Sequence, residues 1–260
     1  MELYSFDDVE EKVLESEFFL GKMVESARNW SEFRFYISAY LSAARSITFA
    51  LQRLKDIPGL DAWYQSHRKA LSKNPIARFL LGARNNNVHG GGIPIASAAY
   101  SQNGAVYRFS EHDNRNPDDV LACCRLHFIE LLKVVLDCYF KLGVHIDAQQ
   151  YFTREHFDSM GLSIDDAEVE IWGWVMTSYI EEGLNKDERW YELRGQVSGS
   201  KLNHLFLGYL NKVTPQPNQP DYINDFEFSY DDRGWNHIPV GFVSEGDYKD
   251  FIQDFGVLIV

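Results

Sequence analysis

Residues 32–55 carry the most regular apolar repeat in the chain. Phe33, Ile37, Tyr40, Leu41, Ala44, Ile47, Leu51 and Leu54 recur every three or four residues and make one stripe of a long helix. A stripe of that length needs a partner surface, and the sequence supplies two. Residues 6–29 space Val9, Val13, Leu14, Phe18, Leu20, Met23 and Val24 in the same helical rhythm, with acids between them. A segment opened by Pro117-Asp118-Asp119 runs to about Leu142 with Val120, Leu121, Leu126, Phe128, Ile129, Leu132, Val135, Leu136 and Tyr139, apolar over most of its circumference. A helix apolar all round has to sit at the centre of other helices. The expected fold is therefore mainly α, an up-and-down helical bundle.

The connections refine this. Asn29-Trp30-Ser31-Glu32 breaks the first two helices, with Ser31 placed to cap the second. Asp56-Ile57-Pro58-Gly59 ends the second, and residues 61–72 form a short helix with Asp61 as cap. Pro75 suits the first turn of a helix that runs to His89 and stops at Gly90-Gly91-Gly92. Residues 93–111 change to short strand-like runs about Asn103-Gly104, a β-hairpin inserted in the bundle. Beyond Gly143 the pattern loosens. A helix is expected over 163–183 with Gly183 as its stop, one or two short helices over 186–210, a loop at T-P-Q-P-N-Q-P, strands over 221–243 and a helix over 245–254. The organisation read from this is a bundle over 1–144 and a smaller α+β part over 145–260.

Charge divides the chain in the same way. Residues 1–144 hold 17 Lys+Arg and 17 Asp+Glu, whereas 145–260 hold 8 and 21, so the whole net charge of −13 belongs to the second part. Cys123, Cys124 and Cys138 lie in one apolar helix, which is the usage of buried thiols in a reducing compartment rather than a disulfide framework. No run reaches the length of a membrane span, and the acidic start M-E-L-Y-S-F-D-D is not a secretory leader. A cytoplasmic location is expected.

The chemistry concentrates in Ala83–Gly92, A-R-N-N-N-V-H-G-G-G, where a helix must end. Asn85 and His89 are four apart and share a helix face. Arg84 lies about 140° around from His89, so the two do not converge on one atom within a regular helix. Either the helix end loosens or a second copy faces the first. Imidazole changes charge near neutral pH and serves as general acid or base. Guanidinium stays charged and holds two phosphate oxygens at once. A stretch from Arg53 to Arg84 with seven Lys+Arg against two Asp leads into the motif. On the second helix, Arg34, Ser38, Ser42 and Arg45 form a small, polar stripe that reads either as a packing groove or as the means by which Arg45 reaches a cleft. The same motif also reads as an ordinary helix C-terminus, where Asn, His and cations are favourable. His67, His112, His127, His145, His156, His204 and His237 form no metal-ligand spacing, and no phosphate loop or dinucleotide fingerprint is present.

Arg84, Asn85 and His89, with four residues between the arginine and the histidine, resemble the motif of the HEPN superfamily (higher eukaryotes and prokaryotes nucleotide-binding). The order of elements over roughly residues 6–142 is similar as well. The resemblance implies a helical bundle acting as a metal-independent endoribonuclease, without cofactor or metal, as a homodimer with the motif-bearing helices facing each other. It implies Arg84, Asn85 and His89 as catalytic residues, with Arg45, Arg78 and Asn86 as candidate RNA contacts. The family's roles include toxins with protein antitoxins, phage defence and stress effectors. One toxin branch has a tyrosine two residues after the histidine, where this chain has Gly91. The competing reading is a non-catalytic binding or dimerisation module whose acidic second part engages a protein partner.

Overall fold

The computed structural model describes residues 3–101, 104–110, 119–176 and 186–217. Its centre is helix α5 (Val120–Ile146), which is buried over most of its circumference and meets solvent along a strip of Lys133, Phe140, Lys141 and Val144. Asp119 caps it, accepting a hydrogen bond from the Ala122 amide at 2.6 Å. Around it stand α1 (Asp7–Glu25), α2 (Trp30–Arg53), α3 (Leu60–Lys73) and α4 (Pro75–Val88). Strands β1 (Ile95–Ser101) and β2 (Gly104–Phe109) form an antiparallel hairpin between α4 and α5. The protein is mainly α with a small inserted sheet, as the periodicity predicts.

Several ends differ from the sequence expectation. Asn29, not Ser31, caps α2: its side chain accepts from the Glu32 amide at 3.3 Å and donates to the Glu32 carboxylate at 2.8 Å. Gly59, with φ +81°, opens α3, so Asp61 falls within the first turn. The hairpin position Asn103 lies outside the described residues, as do Pro117 and Asp118.

The second part is helical where it is described. Helices α6 (Ala148–Tyr151), α7 (Arg154–Ser159), α8 (Ile164–Trp172) and α9 (Lys186–Gln196) enclose a separate small core of Tyr151, Phe152, Phe157, Ile164, Ala167, Trp190 and Leu193. Helix α8 stops at Gly173, whose φ of +77° ends the helix ten residues before Gly183. Gly183, the expected strands of 221–243 and the helix of 245–254 lie outside the described residues. At the centre of this unit Arg189 donates to both oxygens of the fully buried Glu168 carboxylate, and also to Asp165.

The boundary expected at 144/145 falls inside α5, and the first core draws on both sides of it. Helix α10 (Asn203–Leu210) returns to the bundle, where Phe206 meets Tyr139 and Tyr209 meets Phe128 edge to face, at 5.9 and 5.3 Å between ring centroids. Glu10 of α1 locks this return. One of its buried oxygens accepts from the Tyr139 hydroxyl (2.6 Å), the Ser200 hydroxyl (2.8 Å) and the Lys201 amide (3.0 Å). A desolvated carboxylate is tolerated when several donors replace its water.

The cysteine reading holds in geometry: Cys123, Cys124 and Cys138 are buried and free, and burial pushes the Cys123 thiol up to about 12. His127 lies beside them. The Tyr40 hydroxyl donates to the Cys124 carbonyl at 2.8 Å and sits 3.0 Å from His127 Nδ1, which is thereby assigned the ring proton. Desolvation lowers the His127 pKa to about 4. The unfolded chain therefore takes up this proton first, near the ordinary histidine value of about 6.5, and stability falls as the pH drops from there toward 4. The loss from this residue amounts to about 3 kcal/mol by pH 4. Urea denaturation of wild type and His127→Gln at pH 7 and pH 4.5 checks this, the variant showing the smaller acid loss. In the second core, Arg189→Met strands the Glu168 carboxylate and is expected to cost about 3–5 kcal/mol by the same measurement.

Candidate functional site

Helix α4 is built by local rules at both ends. The Asn74 side chain accepts from the Ala77 amide at 3.0 Å, and Pro75 occupies the first helical position, where it forfeits no hydrogen bond. Leu80 and Ala83 turn into the bundle core, and Phe79 meets Phe109 of the hairpin edge to face at 4.8 Å. The helix ends in a Schellman motif. The Gly91 amide donates to the Asn86 carbonyl at 2.8 Å and the Gly90 amide to the Asn87 carbonyl at 3.4 Å, with Gly90 at φ +87°. His89 is the last residue before the left-handed turn, and its amide still bonds the Asn85 carbonyl at 3.0 Å. The glycines thus hold the histidine at a defined helix end.

The motif side chains stand at the surface. Asn85, Asn86 and His89 are exposed, and Arg84 is half-buried. Arg84 Nη1 donates to Asn85 Oδ1 at 3.3 Å, which leans the guanidinium toward the face that Asn85 shares with His89. The ring of His89 makes no hydrogen bond to another described residue. Arg84 and His89 are therefore not joined directly, in keeping with the 140° between them, and Asn85 stands between the two. Arg78 is exposed one and a half turns earlier on α4.

The polar stripe of α2 meets this helix end. Asn87 Nδ2 donates to Ser38 Oγ at 2.7 Å, so the stripe is in part a packing seam for α4. Asn87 had no role in the sequence reading; the signal that locates it is the small polar stripe, which leaves room for a side chain from the neighbouring helix. Arg45 stays on its own helix, donating to Thr48 Oγ1 at 2.9 Å with its guanidinium 4.3 Å from the centre of the Phe49 ring. His67 acquires a tie: its Nε2 lies 2.9 Å from Asp137 Oδ2, which also accepts from Trp63 Nε1 at 2.7 Å, clamping α3 to α5 beside a cavity of about 320 Å³.

The charge around the motif is opposite to that of the whole chain. From Phe33 to Ser110 there are ten Lys+Arg and two Asp, Asp56 and Asp61, while the remainder holds 15 and 36. Helix α2 beyond Glu32, the whole of α4 and both strands of the hairpin are free of acids. Helix α4 with its motif thus lies in a basic island on an acidic protein.

Residues 9–116 match the family model described as bacteriophage lambda protein ea47. The matched stretch runs from the first turn of α1 past β2 and includes the motif and the basic island. No curated protein and no solved structure matches the chain.

Two glycines, one within α4 and one just past its end, separate backbone demand from mere presence. Gly82 has helical geometry and open space around its Cβ direction, so Gly82→Ala is expected to stabilise by about 0.5–1 kcal/mol. Gly90→Ala meets no neighbour either, but forces alanine into φ +87° and is expected to cost about 1–2 kcal/mol. Thermal unfolding of the two variants should shift the melting temperature in opposite directions.

Proposed function

We propose that the protein is a metal-independent endoribonuclease of the HEPN type, with Arg84, Asn85 and His89 as its catalytic residues. The observation that carries this reading is an exposed Arg-Asn-His helix end on an acid-free helix, within a stretch of ten Lys+Arg and two Asp on an otherwise acidic chain. Contacts to phosphate provide most of the affinity for a nucleic acid, and an anionic protein has to gather its cations where the strand lies. In this reading His89 takes the proton from a ribose 2′-hydroxyl, or returns one to the leaving 5′-oxygen. The 2′-oxygen attacks the adjacent phosphorus in line, the bond to the 5′-oxygen breaks, and a 2′,3′-cyclic phosphate remains. Arg84 holds the non-bridging oxygens as charge develops on them, and Asn85 orients either group. Arg45, Arg78 and Asn86 are candidate contacts to flanking nucleotides.

Arg84 and His89 are about 140° apart around α4, and in this reading a second copy supplies the missing partner. Leu81 and Val88, 40 % and 55 % exposed, lie seven apart on α4 with Arg84 and Asn85 between them. A two-fold pairing of α4 helices would cover both and bring the Arg84 of one chain toward the His89 of the other. The same two exposed side chains favour the second reading, a non-catalytic dimerisation module that meets a protein partner. The similarity to a phage protein is compatible with action in the encounter between phage and host, under a protein inhibitor if the product is toxic, and with a cytoplasmic location.

Purified wild type incubated with total RNA in EDTA is expected to leave 2′,3′-cyclic phosphate ends, while His89→Ala and Arg84→Ala lose activity by about 10²–10⁴-fold with unchanged circular dichroism. Cleavage that persists in both variants removes the motif from catalysis. Absence of cleavage by wild type, with a dimer that Val88→Asp disrupts, selects the assembly module.

A further inference from the structure

Helix α2 carries a second feature that the motif does not use. Phe35 and Phe49 are 62 % and 46 % exposed, although both belong to the best-packed amphipathic helix of the bundle. Fourteen residues apart, they lie on one face, about 21 Å from each other along the helix axis. Each is paired with an arginine: the guanidinium of Arg34 is 5.3 Å from the Phe35 ring centre, and that of Arg45 is 4.3 Å from the Phe49 ring centre. Between them the face narrows to Ser42 and Ser46, whose hydroxyls turn back onto the carbonyls of Ser38 and Ser42. Ser38, on the arginine edge of this face, is the residue that bonds Asn87 in the last turn of α4. The two Arg–Phe pairs therefore bracket the point where the motif helix touches α2.

We infer that this face of α2 is a stacking track for single-stranded RNA, with bases on Phe35 and Phe49 and phosphates on Arg34 and Arg45. The inference rests on the nuclease reading for its choice of RNA, and names the form of the substrate. Exposed aromatic rings bind bases through their faces, which only an unpaired strand can offer. An arginine that already lies over such a ring is placed to contact the phosphate next to a stacked base. The small serine surface between the rings lets a sugar-phosphate backbone approach closely. Charge argues against a second copy of this chain as the occupant. No acid occurs between Glu32 and Asp56, so two such faces would set arginine against arginine.

The test uses the full chain with His89→Ala, so that binding is read without turnover, and a fluorescein-labelled 12-nucleotide oligouridylate followed by anisotropy. Phe35→Ala and Phe49→Ala are each expected to weaken binding about tenfold, and Phe35→Tyr to retain it. Arg34→Gln and Arg45→Gln are each expected to flatten the dependence of log affinity on log salt by about 0.7. A duplex of the same length should compete poorly. Unchanged affinity in both alanine variants overturns the inference, as does equal competition by duplex. Loss of a dimer in Phe35→Ala and Phe49→Ala with undiminished oligonucleotide affinity overturns it too, and identifies the face as a protein interface. The two readings fail separately. An oligonucleotide bound through Phe35 and Phe49 by a wild type that cleaves nothing leaves the track and removes the nuclease. Cleavage by wild type with KM unaltered in the alanine variants does the reverse.

Discussion

Helix α5 gives water only one narrow strip, Lys133, Phe140, Lys141 and Val144, and the bundle is arranged by that constraint. Val120 through Ile146 buries Cys123, Cys124, Phe128, Leu132, Val135 and Tyr139 on successive turns. A helix of this kind is stable only when enclosed, because each apolar side chain left in water forfeits about 1.5–3 kcal/mol. Four N-terminal helices cover part of it. Helix α10, from far down the chain, covers a further part, and Ser200 and Lys201 just before it are fastened by hydrogen bonds to Glu10. The buried polar groups serve the same enclosure, since Tyr40 and Tyr139 each find a partner where water is excluded.

Enclosure of α5 also places the candidate site. Helix α4 gives only Leu80 and Ala83 fully to the core, so its other faces remain at the surface. Its last turn is set by the Schellman glycines and steadied against α2 by Asn87 and Ser38. The result is a rigid helix end that presents Asn85, Asn86 and His89 outward, with Arg84 bridged to Asn85. Such an end is a place where a fixed side-chain pattern meets an incoming ligand without a folding cost. Arg84 and His89 make no direct contact, and Asn85 stands between them.

Much of the architecture was legible in the sequence, and for a common reason. Helices α1, α2, α4 and α5 each bury one continuous face, narrow in α4 and wide in α5, so periodicity and burial coincide. The Asn74-Pro75 start and the Gly90 stop of α4 follow from hydrogen bonds between residues close in sequence. The misplaced ends are also instructive. Ser31 and Asn29 are both good caps, and only the path of the chain out of α1 decides between them. Gly173 reads as one glycine inside a helical pattern until the backbone is seen to turn left-handed there. The second part was less legible because its described apolar residues are divided between two cores, one of which belongs to the bundle.

At the site, the residue types and their spacing along α4 belong to the sequence alone, as does the contrast between a basic 33–110 stretch and an acidic chain. Charge counts and four-residue spacings need no fold to be read, because they depend on covalent order and the pitch of one helix. The tertiary structure decided which of these groups meet. It joined Asn87 to Ser38, kept Arg45 on its own helix over Phe49, and left Phe35 and Phe49 in the open beside the motif. Those outcomes depend on how two helices distant in sequence pack against a third, and the side-chain volumes that settle it lie outside the motif itself.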